Sequence, residues 1–236
     1  MKTRDIASVS GLAFVMLFTA LVLFADSINF SPILGADPAQ KQYFTLFQFM
    51  GPIAGGFIGA GAGVLSVLLA EIVSFIWLGK EANALNLLRL LPMLFAALYF
   101  AKYSRNRLFG AIVPLACMAL FIIHPVGSQA WFYSLYWLVP LIMLLLPEHL
   151  FLRSLGATMT AHSIGSVIWL YFIPSTPEFW IALIPIVAAE RLLFALGITG
   201  SYFALSTIFS HVKRIAKSGM VMIDRRYVLA PVMQKK

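Results

Sequence analysis

From residue 43 to residue 79 the chain carries a single charged side chain, Glu71, in a run that is otherwise apolar or small. At about 1.5 Å per residue, one helix over that run would reach about 55 Å, against a hydrocarbon core of about 30 Å. The run is too long for one crossing and predicts a hairpin of two helices. Within it Gly51, Gly55, Gly59 and Gly63 recur at every fourth position, with Gly56, Ala60, Gly61 and Ala62 between them. On a helix this spacing lays a bare stripe along one face. Lipid offers little hydrophobic drive for helix association, so such a stripe serves close approach of a second backbone. By itself it points first to ordinary packing within a bundle, and a docking contact is the alternative. Pro52 removes a backbone donor and biases Gly51 toward an extended conformation, so Gly51-Pro52 is the expected turn.

The remaining apolar runs are 6 to 25, 84 to 101, 108 to 123, 131 to 147, 150 to 173 and 179 to 209. With 61% hydrophobic and only 11% charged residues, and a mean hydropathy of +0.91, the composition excludes an ordinary soluble domain. The fold class is all-α, a polytopic transmembrane bundle of six to eight spans. Residues 1 to 209 form the bundle and residues 210 to 236 a basic tail. The first apolar run follows a basic start but is too long for a signal-peptide core, and no small-residue cleavage site follows it, so it reads as a retained span. Cys117 is the single cysteine, which excludes an internal disulfide and a thiolate metal cluster.

Orientation follows from the basic residues. Counting 43 to 79 twice puts Lys2, Arg4, Lys102, Arg105, Arg107, Arg153 and the tail from Lys213 to Lys236 on one side, with Lys41 and Lys80 opposite. By the positive-inside rule that side, with both termini, is cytoplasmic. The net charge of +8 then reflects topology and attraction to anionic headgroups rather than nucleic-acid binding.

Ionisable groups within spans are functional candidates because lipid penalises them. In this topology Glu71, Asn83, Asn86, Arg89 and His124 lie toward the outer side, with Glu71 and Arg89 able to pair. His162, Glu190 and Arg191 lie near mid-membrane. Trp131, Tyr133, Tyr136, Trp137, Trp169, Tyr171 and Trp180 fall on outer helix ends, where they either form an interfacial belt or stack on a ligand ring. The charged groups are either structural pairs or fix a solute. We expect Glu71, Asn86, Arg89, His162, Trp169 and Glu190 to line a substrate site. Glu148 and His149 follow Pro147 at a cytoplasmic turn.

No Ser/His pair with an acid at helical spacing, paired Asp or His-Glu-x-x-His helix is present, and no phosphate-binding loop. The chain is therefore not expected to be an enzyme, to hydrolyse ATP, or to hold a metal or cofactor.

The stretch FMGPIAGGFIGAGAG resembles the Gly-Pro hairpin of the substrate-binding S-components of energy-coupling-factor (ECF) vitamin transporters. The stretches LLRLLPMLFAALYF at 87 to 100 and LGATMTAHSIGSVIWLYFIPSTPEFWIALIPIVAAERLLFALG at 155 to 197 are compatible with it. The resemblance implies a membrane subunit that captures a micronutrient from outside and docks on a transmembrane coupling subunit driven by two ATPases. Docking would use the small-residue stripe and Ala7-x-x-x-Gly11, where the family carries Ala-x-x-x-Ala. The other reading is a non-catalytic structural or assembly subunit of a larger membrane complex. A polar outer cavity would support solute binding, and a solid core with internally paired charges would support the scaffold. A stand-alone secondary transporter would require an internal repeat with paired broken helices, and Gly51-Pro52 has no evident counterpart.

Overall fold

A computed structural model describes residues 9–29, 44–102, 107–212, 215 and 221–229. The described chain is helical, with one isolated β-bridge between Asn29 and Thr45. Its helices are α1 (Val9–Asp26), α2 (Phe47–Ile58), α3 (Ala60–Trp77), α4 (Ala84–Leu88), α5 (Leu91–Lys102), α6 (Arg107–Ile123), α7 (Pro125–Gln129), α8 (Leu138–Leu145), α9 (Leu150–Phe172) and α10 (Pro177–His211). A 3-10 helix at Trp131–Trp137 leads into α8, and another at Arg225–Tyr227 lies in the tail. Among the described residues three stretches are long and apolar enough to cross a membrane: Ala60–Trp77, Ala84–Ala101 and Pro177–His211. Shorter apolar helices cover Leu12–Asp26, Phe47–Ile58, Gly110–Ile123 and Trp131–Leu145.

The long run from 43 to 79 does fold as a hairpin, but it does not turn at Gly51-Pro52. Pro52 sits inside α2, and the chain reverses at Gly59, whose φ of 88° and ψ of 166° belong to a region open essentially to glycine alone. A Cβ built on Gly63 would collide with the backbone of Gly55, so α3 folds back directly onto α2. At the far end of the hairpin the Asp26 carboxylate joins both arms. It accepts from Thr45 Oγ1 at 3.0 Å and from Ser74 Oγ at 2.6 Å. The opposite face of the stripe receives α5, since a Cβ on Gly55 would strike the Ala97 carbonyl and one on Gly51 would meet Met93. Ala7 and the side-chain surroundings of Gly11 lie outside the described residues.

The segment 131 to 147 is not one α-helix. Its seven 3-10 residues rise about 2.0 Å each and the eight residues of α8 about 1.5 Å each, which together span about 26 Å. The 3-10 winding thus lets a short apolar segment reach nearly across a hydrocarbon core.

Among the described residues two large apolar clusters fill the bundle, beside a small one of Phe44 and Phe194. One, around Phe18, Phe57, Phe100 and Tyr202, joins α1, α2, α3, α5, α9 and α10. The other centres on Phe121, which meets Trp137 and Trp180 edge-on at 5.2 and 5.1 Å and stacks on Tyr133 at 5.6 Å. Beyond α10, Val221 is buried and the Met222 N–H donates to the Phe57 carbonyl at 2.7 Å. The Leu229 N–H donates to Thr207 Oγ1 at 2.9 Å, and Tyr227 packs edge-on against Tyr202 and Phe203. Part of the tail therefore docks beside the Gly59 turn. Arg153 lies at the same end, its Nε donating to the Phe100 carbonyl and its guanidinium 3.9 Å from the Phe100 ring centroid.

Candidate functional site

At the end opposite that turn, the bundle encloses a cavity of about 580 Å³. Its wall comes from the ends of α1 and α3, the starts of α2, α5 and α10, α4, α9 and the 3-10 helix at Trp131–Trp137. Glu71, Asn86, Arg89, His162, Trp169 and Glu190 all line it. Helical register explains the convergence on α9, where His162, Ser166 and Trp169 recur at i, i+4 and i+7 on one face.

The predicted Glu71–Arg89 pair does not form. The Arg89 guanidinium lies over the Trp169 ring, 5.8 Å from its centroid, and makes no ion pair among the described residues. Its side chain is exposed at the cavity mouth. Glu71 instead has Lys80 and Asp26 as charged neighbours, and its Oε2 is buried without a hydrogen-bond partner among the described residues. The chain leaves α3 at Leu78 and Gly79 before α4 begins, and Arg89, just beyond α4, reaches toward Trp169 on α9. Asn86 is committed locally. Its N–H donates to the capping Asn83 side chain at 2.9 Å and its Nδ2 to the Glu81 carbonyl at 3.0 Å.

Deeper in the wall Glu190 and Arg191 pair at 3.0 Å. Adjacent residues of a helix point in different directions, and the long Arg191 side chain bridges that angle. Its guanidinium lies 4.4 Å from the Phe194 centroid and donates through Nη1 to Thr158 at 3.4 Å. Its Nε has no hydrogen-bond partner among the described residues. His162 does not join this pair. Trp137 Nε1 donates to its Nδ1 at 3.2 Å, while its Nε2 faces Tyr133 Oη at 2.9 Å and Ser166 Oγ at 3.3 Å. His124 lies elsewhere, capping α7 through its Nδ1, which accepts from the Val126 N–H at 3.2 Å.

The aromatics expected at outer helix ends divide by burial. Trp131 and Tyr171 are 51% and 47% exposed, whereas Tyr133, Trp137 and Trp180 are at most 2% exposed. Tyr133, Trp169, Phe179 and Trp180 supply the cavity's aromatic wall. The sequence reading missed Asp26, Ser74 and Ser166 as lining groups, and placed Lys80 and Tyr133 only by topology. Asp26 and Lys80 carried a signal, because both fall at apolar-run ends on the side assigned to Glu71. The acidic lining groups Asp26, Glu71 and Glu190 stand against the basic Lys80, Arg89 and Arg191. Such a wall holds both signs of charge beside flat apolar surface, which suits a small amphipathic molecule.

No protein-family model matches the chain, and no solved structure matches it. Among curated proteins, it is similar to one from Methanocaldococcus jannaschii described as "Uncharacterized protein MJ0923", 22% identical over 215 residues that cover 84% of this chain and 70% of that one.

Proposed function

We infer that the protein is a multi-pass membrane subunit that captures a small solute from the outer side of the cell membrane. The observation that carries this reading is the cavity. Residues from distant parts of the chain, chosen for their charge or ring character, line one space of about 580 Å³. That volume lies within the range typical of small-molecule sites.

The crossing segments are α1, α2, α3, α4 with α5, α6, the 3-10 helix with α8, α9, and α10. This even count returns the C terminus to the side of the N terminus. The docked tail, Arg153 and the Gly59 turn share the basic end of the bundle. The positive-inside rule makes that end cytoplasmic, and the cavity then opens outward.

By resemblance to the ECF S-components, release of the solute falls to a transmembrane coupling subunit and two ATPases on other chains. The chain itself contributes binding and no catalysis, and nucleic acid is no partner. Affinity purification of the tagged protein from its own membranes in mild detergent tests the assembly. ATPase-bearing chains should co-purify in defined stoichiometry. A stable complex with other membrane proteins but neither ATPases nor a retained small molecule would instead favour a scaffold subunit.

A further inference from the structure

The inner wall of the cavity presents a hydrogen-bond donor that the protein itself does not satisfy. Its direction is set by Trp137, which does not line the cavity.

An indole N–H can only donate. Trp137 Nε1 donates to His162 Nδ1 at 3.2 Å, so Nδ1 is an unprotonated acceptor. An imidazole holding one proton then carries it on Nε2. Nε2 is therefore a donor toward Tyr133 Oη and Ser166 Oγ and accepts from neither. Neither hydroxyl bonds to a group outside this cluster among the described residues. The cluster thus holds three donor hydrogens and only two hydroxyl oxygens to receive them. Two hydroxyls cannot donate to each other at once, so in every arrangement one hydroxyl hydrogen lacks an acceptor. Tyr133 and Ser166 both line the cavity. That hydroxyl hydrogen is left for an acceptor that enters the cavity.

The surroundings define what that acceptor belongs to. Trp169, Phe179 and Trp180 offer flat surface beside the hydroxyls, and Arg89 stands at the mouth without an ion-pair partner. We propose that the solute is an aromatic or heteroaromatic anion that enters with a neutral hydrogen-bond acceptor leading. A ring nitrogen or carbonyl oxygen meets the free hydroxyl of Tyr133 or Ser166, while the anionic group stays with Arg89. This assignment rests on the cavity being the solute site. Tyr133 and Ser166 are then specificity-determining residues, and Trp137 is a positioning residue acting through the His162 tautomer.

A matched pair of probes tests it: quinoline-6-carboxylate and naphthalene-2-carboxylate, alike in shape and charge and differing by one ring nitrogen. Binding of each to the protein in nanodiscs is measured by calorimetry. The wild type should favour the quinoline by about tenfold, as one well-placed hydrogen bond supplies. The double variant Tyr133→Phe/Ser166→Ala should bring the ratio close to one. Trp137→Phe should do the same, and the side-chain ¹⁵N resonances of His162 should lose the fixed Nε2–H signature seen in the wild type. Equal affinity of the wild type for the two probes would overturn the acceptor assignment while leaving the cavity as a site. Failure of the wild type to bind either probe at millimolar concentration would overturn the aromatic-anion assignment, whereas the cavity as a solute site stands or falls with a retained small-molecule adduct. The wild-type comparison needs no variant to fold.

Discussion

Gly55 and Gly63 meet backbone to backbone across the Gly59 reversal, with no room for a Cβ on Gly63. The α2–α3 hairpin is held by this contact at its closed end and by the Asp26 carboxylate at its open end, where Thr45 and Ser74 both donate to it. The cavity wall near Asp26 and Glu71 therefore depends on the hairpin keeping its register.

Gly59→Ala places a side chain on a residue with φ 88° and ψ 166° and should destabilise the protein by about 1–3 kcal/mol. Gly200→Ala is the control. Gly200 lies in α10, and a Cβ there would meet nothing within 4 Å. That change should be neutral or stabilising by up to about 1 kcal/mol, as for alanine over glycine within a helix. Thermal unfolding in mild detergent should order the proteins as Gly200→Ala at or above wild type, and Gly59→Ala clearly below it.

Removal of one member of the Glu190–Arg191 pair leaves a largely buried charge, since the Glu190 and Arg191 side chains are only 16% and 7% exposed. Glu190→Gln should destabilise by about 3–5 kcal/mol if the guanidinium finds no replacement partner. The double change Glu190→Gln/Arg191→Met should recover much of that loss, because it removes the stranded charge as well. A double-mutant cycle on thermal stability checks this through a coupling energy of stabilising sign.

In the tail, Asp224 accepts from the Arg226 guanidinium at 2.6 Å and from the Arg226 N–H at 3.0 Å. These bonds hold its carboxyl below the usual carboxylate value. A group whose folded value is depressed contributes stability above its unfolded value, near pH 4, and loses it as the pH falls through the folded one. Docking of residues 221 to 229 should thus be indifferent to pH from about 5 to 7 and weaken below about 4. The Arg226 side chain is 60% exposed, which limits the effect to about 1 kcal/mol or less. Amide hydrogen exchange of Met222, bonded to the Phe57 carbonyl, should report the weakening. Asp224→Asn should abolish the pH dependence.

Much of the helical arrangement was legible because long apolar runs limit where helices can begin and end. A charge-poor run from 43 to 79 had to be interrupted, and the four-residue glycine spacing announced a close contact. The residue that makes the turn was not legible. Proline has the stronger local bias, yet Pro52 is accommodated within α2 by packing, and a positive φ at Gly59 cannot be distinguished from sequence among so many glycines. The cavity's charged and aromatic members were readable because ionisable groups within apolar runs are few. Their pairing was not, because it depends on where a loop returns. Glu71 makes no ion pair with Arg89, which lies over Trp169, and His162 bonds to Tyr133 and Trp137. The 3-10 winding of 131 to 137 was equally hidden, since its apolar and aromatic residues suit an α-helix as well.

On the proposed function, the cavity holds a small solute taken from outside. Native mass spectrometry of the protein, gently purified from its own membranes, tests it most directly when wild type and Arg89→Ala are compared. Arg89 is exposed and makes no ion pair among the described residues, so its removal should leave the fold and melting temperature intact. The wild type should carry a discrete small-molecule adduct that is reduced at least about tenfold in the variant, consistent with loss of a charge-assisted hydrogen bond. A wild-type protein that carries no adduct, or an adduct equally retained by Arg89→Ala, would contradict the proposed function.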